Sequence, residues 1–479
     1  MRHSSVIGVA GIVVLSCFAP HVAIILLGAA LVLQCAAGLL HTLAGCGDMV
    51  RRVDEGTIAD HDLSAPFFSV HVPIHDEPPS VVIRTLASLE AQIGAPRHEI
   101  IVIDNNTSDR ALWRPVETWC AAHRRFRFFH YDNVEGAKAG ALNIALAQTD
   151  PQATHIVTVD SDYVVSADFL DQAAAALARW NADFLQFPQA YVGASIAAGP
   201  SLELSDYFRR HARTANGADA MLLTGTLSVI SKSALISVGA WRADTVTEDA
   251  ELGLRLSRRG YRGRFVEQEV GRGLLPFDML SLHRQRYRWT AGNVRTLMTG
   301  LRGLGFARTL QVVSQLTAWA NTSLIFAAGL VGATFGTIIS PEATVTAGLL
   351  ATAGLAACYL SMLGPLAIAA FRDGLHPRTL AGAMASRVAL TPAAGLATLD
   401  SLLGNRPSFN VTSKSLTASG GGLPMATIIW AAIGLALLGL SSAPATVLGG
   451  AMMMLPFPAG LFTDRRLRLY RSSLIASEV

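Results

Sequence analysis

The sequence predicts an α/β domain with a mostly parallel sheet, embedded in an α-helical transmembrane domain of about six spans. Three observations lead there. Of the 479 residues, 51% are hydrophobic and only 15% charged, a composition that points to an integral membrane protein. Long apolar runs gather towards the two ends of the chain, whereas residues 65–289 alternate short apolar strands with amphipathic stretches. The strands of that middle region end on acidic residues, and open α/β sheets bind ligands at the carboxyl ends of their strands.

Residues 1–50 are expected to form a transmembrane hairpin from the apolar runs 6–18 and 22–43, which flank Pro20-His21. A signal peptide is disfavoured, because no small-residue cleavage site opens into a soluble sequence there. Arg2 precedes the hairpin and Arg51-Arg52 follow it, while the turn has no Lys or Arg, so the positive-inside rule puts both ends in the cytoplasm. Residues 51–300 are then a cytoplasmic domain and 301–479 a second helical region. There, runs 316–339 and 344–370 form one hairpin and runs 423–440 and 447–462 another. Arg372, Arg378, Lys414 and Arg465-Arg466-Leu467-Arg468 fall on the cytoplasmic side, and only a short basic tail is expected after Phe462. Residues 378–403 are rich in Ala and Leu but interrupted by Arg387, Pro392 and Asp400, which suits an interfacial helix better than a span.

In the middle region, Phe67-Phe68-Ser69-Val70-His71-Val72 reads as a strand ending at Pro73. A helix over 80–92 follows, with Val81, Leu86 and Leu89 on one face. Glu99-Ile100-Ile101-Val102-Ile103 ends at Asp104-Asn105-Asn106, and His155-Ile156-Val157-Thr158-Val159 ends at Asp160. One Asp after a strand is an ordinary turn or cap residue. Several at one sheet edge make a site.

The formal net charge of +3 suggests no nucleic-acid partner. The five cysteines show no paired spacing and lie mostly in apolar stretches, so neither a disulfide framework nor a cysteine metal site is expected.

In order along the chain stand Asp104, Asp160-Ser161-Asp162, Thr247-Glu248-Asp249 and Gln285-Arg286-Tyr287-Arg288-Trp289. This D…DxD…TED…QxxRW series resembles the signature of the processive family-2 glycosyltransferases, the cellulose, chitin and hyaluronan synthases. The resemblance implies a GT-A-type catalytic domain that transfers sugar from a UDP-sugar to a growing polysaccharide acceptor. The stretch from Val102 to Asn143 is also similar to bacterial β-1,3-glucan synthases of the curdlan and cyclic-glucan type, so the linkage stays open; UDP-glucose and a β-glucan are the leading expectation.

That chemistry requires a grip on a diphosphate, neutralisation of its charge, and a base for the acceptor hydroxyl. In a β-like segment residues i and i+2 face the same way, so Asp160 and Asp162 can address one metal–diphosphate unit. By resemblance Asp162 is the ligand of Mg²⁺ or Mn²⁺ and Asp160 contacts the nucleotide sugar. Gly136-Ala137-Lys138-Ala139-Gly140-Ala141-Leu142-Asn143 resembles the family's KAGNLN-type segment, which assigns Lys138 to phosphate or donor sugar. Pro73-Ile74-His75-Asp76-Glu77 resembles the P-x-x-N-E segment, with Asp76 in place of Asn, and assigns Glu77 to the uridine. Asp104 corresponds to the Asp that meets the nucleobase, although Asn105 stands where the family has a second Asp. Thr247-Glu248-Asp249 reads both as the capped start of a helix and, by resemblance, as the site of the catalytic base Asp249, with Glu248 on the acceptor side. Arg288 is assigned to the diphosphate, and Gln285 and Trp289 to the acceptor; Arg and Trp at a membrane entry also anchor helices at headgroup level. Thr224-Gly225-Thr226 resembles the segment lining the acceptor site. Phe409, Val411, Thr412 and Lys414 fit the FxVTxK gating loop of cellulose synthases, within a loop over 405–420.

The reading that follows is a multi-pass protein of the bacterial inner membrane that polymerises sugar by inverting transfer and secretes it through its own helices. A homo-oligomer and separate export partners stay open. The rivals are a non-processive transferase acting on a lipid carrier and an export scaffold with a degenerate domain. QxxRW and FxVTxK weigh against the first, and the intact carboxylates against the second.

Overall fold

The computed structural model of the chain describes residues 3–45, 65–94, 96–337, 339–405 and 422–478. Among the described residues ten strands are formed: β1 Phe68–Ile74, β2 His98–Asn105, β3 Phe126–Tyr131, β4 His155–Thr158, β5 Val164–Val165, β6 Phe184–Gln186, β7 Ala190–Tyr191, β8 Ser228–Ser231, β9 Gly263–Phe265 and β10 Gly271–Gly273. Seven build the main sheet in the order β3-β2-β1-β4-β8-β6-β9, and β5-β10-β7 build a small second one. The main sheet is parallel except where β8 runs antiparallel to β4 and β6. Every residue of β1 is buried, as expected of a strand covered on both faces, and its Val70, Val72 and Ile74 pack with Val82, Leu86 and Leu89 of helix Pro79–Glu90.

One detail of register places the site. β8 pairs with β4 so that Ser228 sits opposite Thr158. The residues before β8, Thr224-Gly225-Thr226, therefore arrive at the same edge as the residues after β4.

Among the described residues, three helices are long and apolar enough to cross a membrane by length and composition: Pro20–Leu43, Pro341–Arg372 and Pro444–Ala476. Three other expected spans, Ser4–Phe18, Ser323–Gly336 and Met425–Leu440, are apolar but fall short of the ~20 residues a straight span takes. The expected run 316–339 is broken. Helix Phe306–Leu316 stops and a new helix starts at Ser323. The polar break is met from neighbouring helices: Gln34 Oε1 accepts from Thr322 N (3.1 Å) and Thr322 Oγ1 (2.8 Å), while its Nε2 donates to Ser361 Oγ (2.7 Å). Hydrogen bonds of this kind hold helices together where water is absent.

The stretch expected as one interfacial helix is two, Pro377–Ala389 and Thr391–Leu402, bent by 41°. Pro392 lies in the first turn of the second, where its missing N–H is harmless. Most of residues 386–401 are buried, and Ser401 Oγ donates to Ala291 O (3.2 Å) in helix Met279–Met298. The second helix of the pair thus packs against helix Met279–Met298.

A buried ionic node also joins the two regions. Glu203 Oε1 and Oε2 accept from Arg286 at 2.8 and 2.6 Å, and Arg387 Nε donates to Glu203 Oε1 at 3.1 Å. Arg387 Nη1 lies 3.0 Å from Asp206 Oδ2, and Arg210 Nε donates to Asp206 Oδ1 at 2.8 Å. Burial alone would push the Glu203 carboxyl up, but the two guanidiniums outweigh it and hold it below the usual carboxylate range. Glu203→Gln is expected to cost about 3 kcal/mol, because it leaves two buried guanidiniums under-compensated. Thermal unfolding in detergent checks this, and an unchanged midpoint would refute it.

Candidate active site

The cavity at the carboxyl edge of the sheet has a volume of about 410 Å³. Glu77, Lys138, Asp160, Asp162, Thr224, Gly225, Glu248, Asp249, Gln285, Arg288 and Trp289 all line it. Residues far apart in sequence meet there because β1 and β4 end on that side and β8 begins on it.

Asp160 and Asp162 sit in a turn, closed by Tyr163 N donating to Asp160 O (3.1 Å), not in the extended segment that strand alternation suggested. Both still reach the cavity. Thr226 Oγ1 accepts from Asp160 N (2.9 Å), and Asp162 Oδ2 accepts from Leu274 N (3.3 Å). Lys138 stands in the first turn of helix Ala137–Gln148, after Gly136 at φ +79°. A Cβ on Gly136 would lie 2.3 Å from Ala243 Cβ, so that turn requires glycine. Lys138 Nζ donates to Asp160 Oδ1 (2.5 Å) and Gly225 O (2.7 Å). Burial would lower its pKa, but Asp160 and Glu248 outweigh that and raise it, so it stays an ammonium.

Asp249 lies in the first turn of helix Glu248–Arg258 and accepts from Ala250 N (2.8 Å). Burial, then the neighbouring Glu248, push its carboxyl up to about 7, against the pull of Lys138. Gly225, at φ +86°, lets the backbone pass close: a Cβ there would lie 2.9 Å from Asp249 Oδ2. Glu77 accepts from His75 N; burial above all, with Asp162 and Asp160 adding to it, pushes its carboxyl up to about 8.

Gln285, Arg288 and Trp289 share one face of helix Met279–Met298 at i, i+3 and i+4, while Arg286 turns away into the ionic node. Two buried atoms on the cavity wall, Gln285 Oε1 and Thr247 Oγ1, have no hydrogen-bond partner among the described residues. Such atoms in a cleft are open to a hydrogen bond from water or a polar ligand.

Asp104 is the exception among the acidic residues. It is 1% exposed and does not line the cavity; Thr107 Oγ1 donates to its Oδ1 (2.7 Å) and His130 Nδ1 lies 2.5 Å from its Oδ2. The β2–β3 register sets Asp104 opposite His130, and Asn105 and Asn106 line the cavity instead. The expected gating residues Phe409, Val411, Thr412 and Lys414 lie outside the described residues.

A second, smaller cavity of about 60 Å³ shares Gln189, Thr224, Thr247, Asp249 and Trp289 with the first. It extends to Tyr207, Asn293, Gln315 and Trp319, and Trp319 lies 6.1 Å from Trp289. The motif reading missed these four residues. Only Asn293 carried a signal, four residues after Trp289 on the same helix face.

The site's donor set fits a divalent cation. Glu77, Asp160 and Asp162 supply hard oxygens to one wall, and Glu77 feels the other two as excess negative charge. Among the described residues no group of three or more His, Cys, Asp or Glu closes around a point. A Mg²⁺ or Mn²⁺ would therefore complete its coordination from phosphate and water, as such ions usually do.

The model of glycosyl transferase family 2 matches residues 69–239, and that of glycosyl transferase family group 2 matches residues 155–371. Glucomannan 4-beta-mannosyltransferase 7 of Arabidopsis thaliana is 25% identical over 251 residues, 49% of this chain and 44% of that protein. The UDP-forming cellulose synthase catalytic subunit of Pseudomonas fluorescens is 28% identical over 282 residues, 55% of this chain and 36% of that protein. The match thus spans less than half of either relative. A mannosyltransferase from Pyrobaculum calidifontis, solved with GDP-Man and Mn²⁺, aligns with a TM-score of 0.51 at 21% identity, over 79% of this chain and 97% of that one. Fold and site define a GT-A glycosyltransferase. Its domain is of the family-2 kind and is related to the cellulose and glucomannan synthases.

Proposed function

We propose that this protein is a membrane-embedded processive β-glycosyltransferase, extending a polysaccharide by inverting transfer from a UDP-sugar and secreting it through its own helices. UDP-glucose and a β-glucan are the proposed donor and product, and the proposed location is the bacterial inner membrane with the catalytic domain in the cytoplasm. The observation that carries this reading is that two neighbouring cavities share a wall at Trp289. The large cavity holds the acidic motifs, and the small one leads to Leu316 and Trp319, where the chain enters its second helical region.

Each group has a task. Asp249 takes the proton from the acceptor hydroxyl as that oxygen bonds to the anomeric carbon from the face opposite the diphosphate. The bond from that carbon to the phosphate oxygen breaks, its electron pair leaves with UDP, and the configuration inverts. Asp160 and Asp162 would hold Mg²⁺ or Mn²⁺, which when bound neutralises charge on the leaving diphosphate. Lys138, fixed by Asp160 and Gly225, adds a positive charge beside it, and Arg288 can pair with phosphate oxygens bidentately. Trp289 offers an indole face to the terminal acceptor sugar, with Gln285 beside it.

Membranes given radiolabelled UDP-glucose should yield polymer. A product confined to one sugar on lipid would replace this reading with the lipid-carrier transferase. Trp289→Ala should keep UDP binding near normal while shortening the product several-fold, since an aromatic platform of this size is worth on the order of 1 kcal/mol. The length distribution in reconstituted vesicles measures it, and unchanged lengths would remove Trp289 from the acceptor platform.

A further inference from the structure

The expected basic tail is a helix. Pro456–Glu478 runs without a break from the apolar end of the chain on to the catalytic domain, with Leu467 and Tyr470 fully buried. Tyr470 packs in a cluster with Leu274, Leu275, Phe277, Met279 and Leu282, its ring centre 6.2 Å from that of Phe277.

Two polar contacts accompany this packing. Tyr470 Oη accepts from Leu275 N (3.3 Å), and Asp464 Oδ1 accepts from Met279 N (2.9 Å). Met279 is the first residue of the helix that carries Gln285, Arg288 and Trp289. The amide groups of a helix's first turn have no partner within the helix. Asp278 caps one of them through Ser281 N (2.7 Å), and Asp464, from a helix nearly two hundred residues on, takes another. The other end of the same segment is Leu274, whose N–H donates to Asp162.

We propose that Asp464 and Tyr470 are positioning residues of the transfer reaction. From the C-terminal helix they fix Leu274–Met279, the segment that orients the Asp162 carboxylate at one end and starts the acceptor-platform helix at the other. The proposal rests on the roles given above to Asp162 and Trp289. It ties the C-terminal helix, which continues the candidate membrane span Pro444–Ala476, to the geometry of the donor site.

Full-length variants in nanodiscs, with UDP-glucose as donor, test it. Asp464→Leu removes the acceptor of Met279 N and should raise the donor KM about tenfold, the worth of one hydrogen bond to a charged acceptor. Asp464→Asn keeps an oxygen at that place and should stay within about threefold of wild type, because a neutral acceptor retains most of the bond. Tyr470→Phe keeps the ring and loses only the hydroxyl; a rise of about fivefold is expected for one neutral hydrogen bond. Amide hydrogen exchange should speed up across residues 274–279 in Asp464→Leu and Tyr470→Phe, whether or not sugar is turned over. The clamp is overturned if exchange in that segment is unchanged. It is also overturned if the variants lose thermal stability while the folded fraction keeps the wild-type KM, since the helix is then structural alone. A wild type that transfers no sugar from UDP-glucose, with faster exchange in the variants, sinks the synthase reading and with it the catalytic role of the clamp, leaving the contact as architecture.

Discussion

Asp249→Asn should bind UDP with near-normal affinity and lose roughly 10²–10⁴-fold in transfer rate, the usual contribution of a positioned general base. Asn keeps the size of the side chain and an oxygen to accept from Ala250 N, so the helix start is preserved while the proton acceptor is gone. The wild-type pH profile should show the same group. Burial and Glu248 raise the Asp249 carboxyl from 3.8 to about 7, and a base must be ionised to act. The value of kcat/KM, which reports the free enzyme, should therefore fall as pH drops through about 7. The stability consequence has the opposite sign. A carboxyl with a raised folded-state pKa costs nothing below its unfolded value and most above about 7, so Asp249→Asn should unfold no earlier than wild type at pH 8. Equal loss of UDP affinity and transfer rate would make Asp249 a binding or structural group.

The acidic wall of the cavity was legible in sequence for a physical reason that the sheet makes plain. The short continuous apolar run His155-Ile156-Val157-Thr158-Val159 reads as a buried strand, so Asp160 and Asp162 just beyond it mark the edge of the sheet. Spacing did the rest on helix Met279–Met298, where i, i+3 and i+4 bring Gln285, Arg288 and Trp289 to one face. What sequence could not show depends on partners distant along the chain. Asp104 is turned from the cavity by His130, a residue on the next strand. The run 316–339 breaks because Gln34 can satisfy Thr322 inside the bundle, and hydropathy counts no such partner. Nothing local pairs Glu203 with Arg286 and Arg387; three helices far apart in sequence bring them together. Asp464 belongs to the same class: four residues before Arg468 it reads as half of a helical ion pair, which it is at 2.6 Å, and nothing local reveals its second bond to Met279.

Loss of the charge on Asp162 should end turnover. Asp162→Asn retains an oxygen for Leu274 N, so the turn and the segment beyond it keep their geometry, and the protein should fold and insert as before. Only the negative charge is withdrawn from a wall where Glu77, Asp160 and Asp162 stand together. Burial above all raises Glu77 to about 8, and the charges of Asp162 and Asp160 add to it, so negative charge on this wall goes uncompensated. A divalent cation answers that imbalance, and the donor diphosphate supplies the oxygens the protein does not, since hard cations of this kind are held by one or two carboxylates plus phosphate. Excess EDTA should accordingly abolish transfer, and Mg²⁺ or Mn²⁺ should restore it. Paramagnetic resonance of added Mn²⁺ in the presence of UDP gives a reading independent of activity: wild type should bind the ion, and Asp162→Asn should bind it at least tenfold more weakly, the least that losing one charged ligand is expected to cost. Wild-type rates from Asp162→Asn, or full activity in excess EDTA, would remove the cation from the mechanism and leave neutralisation of the diphosphate to Lys138 and Arg288, both of which already face the cavity.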